Sequence, residues 1–161
     1  MAKYWLAHRN GALTVEAAVV FPLMIFLLLA MVIGGIGVLR FQQVACQARE
    51  TARFAAVHGG DYQLFTNATS PTQQMIFQQV VVPMTAGMAV ESLTLQVQWI
   101  DQSTGKLYTW DSASKDVLSI TPLGEYVTNT VRVTVNYQWT PNFLGVGSLS
   151  LQSTSEIPMV Y

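Results

Sequence analysis

The chain has 161 residues, with 8 Lys plus Arg against 9 Asp plus Glu and a formal net charge of −1. Charge this sparse and balanced leaves no basic face for nucleic acid, and a single cysteine excludes an internal disulfide framework and any Cys-rich zinc site. The length accommodates one membrane segment and one small domain of roughly 120 residues, with no room for a second.

Residues 1–11 are a basic leader containing Lys3, His8 and Arg9, and residues 17–39 then carry no charged side chain. As a helix that run is about 34 Å long against a hydrocarbon core of about 30 Å, so it spans a bilayer with modest tilt. A soluble core helix would show a polar stripe, and every face here is apolar or glycine. A cleaved secretory signal has a shorter apolar region and a small-x-small cleavage site, and a lipoprotein cysteine would not lie as far downstream as Cys46. Cys46 reads instead as a small apolar helix residue. Lys3 and Arg9 precede the span while Arg40, Arg49 and Arg53 follow it, so counting charges leaves the orientation open. Within the span, Pro22 predicts a kink, and Ala30 and Gly34, with Gly35 and Gly37 adjoining, form a small-residue surface where another helix can approach. Glu16 stands at the mouth of the run, where an acid in a first helical turn gains roughly 0.3–1 kcal/mol from the macrodipole.

Beyond residue 39 the helical period continues through Phe41, Val44, Ala45, Ala48, Ala52 and Ala55, while Arg40, Gln43, Gln47, Glu50 and Thr51 fall elsewhere. One helix is therefore expected from about residue 13 to 57, ending at Gly59-Gly60. A second helix is expected to start with Ser70 as cap, Pro71 in the first helical position and Gln73 closing a capping box. It carries Met75, Ile76, Phe77 and Val80 as an apolar face and should falter at Pro83 or Gly87. Strict alternation predicts strands over 93–99 and 131–139; Ser103-Thr104-Gly105 turns the first into 106–110 as a hairpin, and 149–157 gives a last strand. Between the last two lies an apolar loop whose Phe143, Leu144 and Val146 are either a contact tip or folded back onto the domain. Strands with one apolar face each need a cover, and the later half of the first helix is the natural one. The expected fold is α+β: a leader (1–11), a transmembrane helix running on as an amphipathic stalk (12–58), and a small antiparallel sheet domain with one further helix (59–161).

Catalytic chemistry is thin. His8 and His58 fall on opposite sides of the span and cannot share a site, and no phosphate loop, His-Glu-x-x-His or Gly-x-Ser-x-Gly motif is present. Asp101, Asp111 and Asp116 flank a Ser/Thr-rich hairpin, readable as solvated turn residues or as a calcium site. Asn67-Ala68-Thr69 fits a glycosylation sequon. The expectation is a non-enzymatic protein without cofactor, metal or small-molecule substrate, with the lipid bilayer as its first partner.

The series of basic leader, Gly11, Glu16 five residues later, apolar helix, Pro22 and then Ala48-Arg49-Glu50-Thr51-Ala52-Arg53-Phe54-Ala55-Ala56 resembles the TadE-like pilus-assembly family of pseudopilins. Val131-Arg132-Val133-Thr134-Val135-Asn136-Tyr137 followed by Pro141 is similar to that family's late strand. The resemblance implies a minor subunit or assembly factor of a tight-adherence (type IVc) pilus, in the cytoplasmic membrane with its N-terminus cytoplasmic and its later domain outside. It further implies cleavage after Gly11 by a prepilin peptidase, with Ala12 as the new N-terminus and Glu16 pairing with a neighbouring subunit's free amine. The implied partners are that peptidase, other pilus or pseudopilin subunits and the assembly platform. Ala17 follows Glu16 where processed members often carry tyrosine. The alternative reading is an uncleaved single-pass protein with an extracytoplasmic binding or adhesion domain.

Overall fold

The structure is a computed structural model and describes residues 4–141 and 147–160. It is mixed α+β, as expected from the sequence, and divides into two compact units, Met1–Leu39 and Arg40–Tyr161. Helix α1 (Tyr4–Val57) contributes to both. It begins well before residue 13, because Gly11 alone costs a helix only about 1 kcal/mol and no proline interrupts the leader. It is helical throughout, Pro22 included.

In the second unit, the core unites Val44, Ala48, Ala52, Ala55 and Ala56 of α1 with Val97 and Trp99 and with Val131, Val133, Val135 and Tyr137 of the sheet. The helix therefore covers the sheet, as predicted. The buried stripe is wider than the apolar pattern, however, since Gln47 and Thr51 are fully buried and Phe41 and Ala45 are not. Positions 44, 47, 48, 51, 52, 55 and 56 make one continuous helical face, and between short alanines the two polar side chains fill space. Gln47 also has a backbone group to satisfy, its Nε2 donating to the Met84 carbonyl at 3.2 Å.

The double glycine works as a joint. Gly60 opens a short helix α2 (Gly60–Thr66), absent from the expected elements, and its N–H donates to the Lys115 carbonyl at 2.8 Å. A Cβ on Gly60 would lie 3.0 Å from the Ser114 carbonyl oxygen, so any larger residue would press on the Ser114–Lys115 backbone at this crossing. Helix α3 (Gln73–Ile76) is shorter and differently capped than the sequence implies. Thr72 is its cap, accepting from the Met75 N–H, while Ser70 Oγ donates to the His58 carbonyl at 2.8 Å and the Pro71 carbonyl accepts from the buried Trp110 Nε1. After α3 the chain widens into a π turn (Phe77–Val81) and tightens into a 3₁₀ turn (Val82–Met84), the expected faltering at Pro83.

Four strands, β1 (Leu93–Asp101), β2 (Lys106–Thr109), β5 (Thr130–Trp139) and β6 (Leu149–Pro158), form an antiparallel sheet in the order β2-β1-β5-β6. The β1–β2 hairpin turns where predicted. Register is fixed by burial, with Val97 opposite Val133 and Val135 opposite Leu95 on the helix-facing side. β2 is shorter than its partner and leaves Leu95 and Val97 of β1 without a neighbouring strand on that side. Gln73 takes that place: its Nε2 donates to the Leu95 carbonyl at 3.1 Å and its Oε1 accepts from the Val97 N–H at 3.0 Å. At the opposite side of the sheet, β6 pairs only with β5.

A separate hairpin, β3 (Leu118–Ile120) and β4 (Tyr126–Thr128), lies outside the expected elements. It turns through Thr121-Pro122-Leu123-Gly124, closed by the Gly124 N–H to the Thr121 carbonyl at 2.8 Å, with Gly124 at φ +85. The fully buried Asn129 fastens it: Oδ1 accepts from the Gln102 N–H and Ser119 Oγ, Nδ2 donates to the Asp116 carbonyl, and the Asn129 backbone bonds Val117 and Met159. Asn129→Ala leaves the Gln102 N–H and Asp116 carbonyl without these partners at a buried junction. It should lower stability by about 2 kcal/mol or more in denaturant unfolding of the detergent-solubilised chain, whereas exposed Gln138→Ala should be close to neutral.

Candidate functional site: the apolar helix and its amino end

The first unit presents large apolar side chains to its surroundings on every face, with Val19 69% and Met31 77% exposed. Within α1 an apolar window has a mean hydropathy of 2.8 and is 0% buried by the protein itself. Water would penalise each such side chain by about 1.5–3 kcal/mol relative to an apolar environment. This is a helix long and apolar enough to cross a membrane.

The predicted residues fall along this segment as follows. Gly11 is exposed and open, with nothing within 4 Å of an added Cβ, and the Gly11–Ala12 bond lies inside the helical backbone. Glu16 is one turn further on, exposed, in a shallow apolar surround of Leu13, Ala17, Val20 and Phe21. The ion pairs among the described residues, Glu50–Arg53 and Arg132–Glu156, both belong to the second unit. Ala30, Gly34 and Gly37 share one helical stripe by their spacing, and a Cβ added at Gly34 or Gly35 would also meet nothing within 4 Å. Phe143, Leu144 and Val146 lie outside the described residues.

At the start of the second unit, Arg40 is committed to the protein. Its Nη1 donates to Gln43 Oε1 and to the Ala86 carbonyl, both at 2.9 Å, and Gly87, at φ +68, would place a Cβ 3.1 Å from Nη2. Periodicity marks Arg40 only as polar, because its carbonyl partner is 46 positions away. Cys46 is exposed and unbridged.

The three aspartates do not converge. Asp111 Oδ1 accepts from the Gln73 N–H at the start of α3, and the Asp116 carbonyl accepts from Trp99 Nε1 and Asn129 Nδ2. Asp101 organises its own turn, accepting from Ser103 N at 2.9 Å, Ser103 Oγ at 2.7 Å and Thr104 Oγ1 at 2.7 Å. Burial pushes its carboxyl up, but those bonds outweigh it and hold the pKa at about 2. Among the described residues no group of three His, Cys, Asp or Glu side chains is placed to hold a metal ion. Lys115, at φ +61, lies 5.2 Å from the Trp110 ring, and burial lowers its pKa while Asp111 opposes the shift.

A single long helix, bare and apolar over residues 17–39 and packed into the core of the sheet from Val44 on, is consistent with a single-pass membrane protein. The model of the TadE-like protein family matches residues 11–53, the family that the motif series resembles. That match begins at Gly11, includes Glu16 and the whole apolar run, and ends at Arg53, ahead of the sheet. No curated protein and no solved structure matches the chain.

The Asp101 turn yields a pH dependence. Its folded-state pKa of about 2 lies below the ordinary 3.8, so ionised Asp101 favours the fold above about pH 4 and this contribution disappears as pH falls toward 2. Asp101→Asn should flatten that part of the stability profile and lower stability at neutral pH, measured as thermal unfolding of the solubilised chain between pH 2 and 7.

Proposed function

We propose that this protein is a non-enzymatic, pseudopilin-like component of tight-adherence pilus assembly. The observation that carries the reading is the TadE-like match over residues 11–53, which coincides with a bare apolar helix headed by Gly11 and Glu16. In this role α1 anchors the chain in the cytoplasmic membrane as a single pass, with its N-terminus cytoplasmic and residues 59–161 on the outer side. Its partners are the bilayer, a prepilin peptidase, and pilus or pseudopilin subunits with their assembly platform.

Peptidase cleavage between Gly11 and Ala12 requires the backbone to leave the helix there. Glycine lowers that cost by about 1 kcal/mol relative to alanine, which supports the position as a processing point. Cleavage would place a free amine at Ala12. An exposed carboxylate beside lipid is costly unless it is paired, and a neighbour's amine would both neutralise Glu16 and fix the axial register between subunits. The small residues Ala30, Gly34 and Gly37 on one stripe, open at Gly34, support close helix packing. A second reading, an uncleaved anchored binding module, draws on the helical backbone running through Gly11–Ala12 and on Ala17 after Glu16.

The mass of the mature N-terminus, measured on membrane-extracted protein from cells with and without their prepilin peptidase, separates the two. The pseudopilin reading expects a start at Ala12 that reverts to the intact leader without the peptidase; an intact leader in both overturns processing. Glu16→Ala should leave membrane insertion unchanged and reduce pilus assembly about tenfold or more, scored by surface pilin. Unchanged assembly removes the pairing role.

A further inference from the structure

Where the second unit begins, Arg40, Gln43 and Gln47 fall on one side of α1 by their spacing, and all three reach the same segment. Arg40 Nη1 donates to the Ala86 carbonyl at 2.9 Å, Gln43 Nε2 to the same carbonyl at 3.4 Å, and Gln47 Nε2 to the Met84 carbonyl at 3.2 Å. The segment is also closed on itself: Thr85 Oγ1 donates to the Val82 carbonyl at 2.6 Å and the Met88 N–H to the Thr85 carbonyl at 2.9 Å. Met88 is buried in the core, while Pro83, Ala86, Gly87 and Ala89 are exposed. The loop 83–89 is therefore pinned to the helix beside residues 40–47 and turns a small, bare surface outward.

Chain order says where that surface lies. Arg40 directly follows the apolar run 17–39, and along the helix residues 40 and 43 stand only about 1.5 and 6 Å beyond residue 39. The headgroup layer outside the hydrocarbon core is about 5–7 Å thick on each side. With the run filling the core, the loop that Arg40 and Gln43 hold falls within that layer. Its composition agrees, since no charged side chain occurs between Asp61 and Glu91, and small uncharged residues meet headgroups at little desolvation cost. Phe41, 48% exposed, adds a large apolar side chain at the same level.

We propose that the loop 83–89, together with Phe41, is a bilayer-contact surface that rests in the headgroup layer of the membrane holding α1. The partner is the lipid surface itself, and Arg40, Gln43 and Gln47 keep the loop against it. Because the loop is fastened to the helix, the contact sets how deep α1 can sink: the apolar run enters the core and the loop stops at its edge. The contact rests on the reading of residues 17–39 as a membrane span, and it is indifferent to cleavage at Gly11 and to the pilus role.

The test reconstitutes the full-length chain, in a Cys46→Ser background, into vesicles of phosphatidylcholine with a minor share of phosphatidylglycerol. A polarity-sensitive fluorophore is attached at one of three exposed positions: Ala86→Cys in the loop, Ile25→Cys in the span, or Leu123→Cys. Leu123 is the reference, at the tip of the β3–β4 hairpin, which is fastened near the Val57 end of α1 through Asn129, Met159 and the Val160–Ala56 bond. A lipid carrying a nitroxide on its headgroup should quench the Ala86→Cys label roughly threefold more than the Leu123→Cys label, and aqueous iodide should reach it correspondingly less. A mid-chain nitroxide should quench the Ile25→Cys label. With Ile25→Cys quenched, an Ala86→Cys label no more quenched by the headgroup nitroxide than Leu123→Cys, or equally open to iodide, overturns the surface contact alone. An unquenched Ile25→Cys label removes the span, and the contact with it.

Discussion

How closely a helix can lie on a sheet is set by the shortest side chains between them. In α1 those are Ala48, Ala52, Ala55 and Ala56, all buried against Val97, Val131, Val133 and Val135. Alanines on the helix and valines on the strands bring two backbones together with little side-chain entropy lost on either side. Larger residues would lift the helix off the sheet and uncover the valine face. The wide stripe of this close contact also draws in Gln47 and Thr51, which a looser packing would have left in water.

The same helix meets a different requirement over residues 17–39. There, large apolar side chains such as Val19, Leu27 and Met31 are displayed rather than buried. One continuous element therefore carries two sequence patterns, bulky all round and then small on one side. The change falls close to Arg40, the first charge after the run, whose guanidinium is bound to Ala86 and Gln43. The matched family segment, residues 11–53, takes in both patterns and none of the sheet, so the likeness resides in how the helix is built.

Features encoded by local period are readable from the chain. The apolar run, the helix reaching Val57 and the strands centred on Val97 and Val133 each follow from spacing over seven or more residues, and Ser103-Thr104-Gly105 marks the hairpin. What escapes such reading has long-range causes. Asn129 is one polar residue among threonines and valines, and its partners Gln102, Ser119 and Asp116 come together only after folding. The β3 and β4 strands are three residues each, too short for alternation to register, although Pro122 and Gly124 do mark their turn. Ser70 is by type the better cap of the two, but its hydroxyl is taken by the His58 carbonyl and Thr72 caps instead. Gly11, Glu16, Ala30 and Gly34 are all exposed on α1.

Gln73 has a consequence for the sheet as a whole. Strands recruit further strands through free amides and carbonyls, and proteins usually have to suppress this at their margins. On the β1 side the margin is short: β2 is only four residues and opens with Lys106, and beyond it the Gln73 side-chain amide bonds the Leu95 carbonyl and the Val97 N–H. On the far side β6 is a ten-residue strand whose pairing among the described residues is with β5, so about every second residue turns its N–H and C=O outward. The two margins are thus unequal in length, four residues at β2 and ten at β6, and an extended peptide would find the longer template at β6.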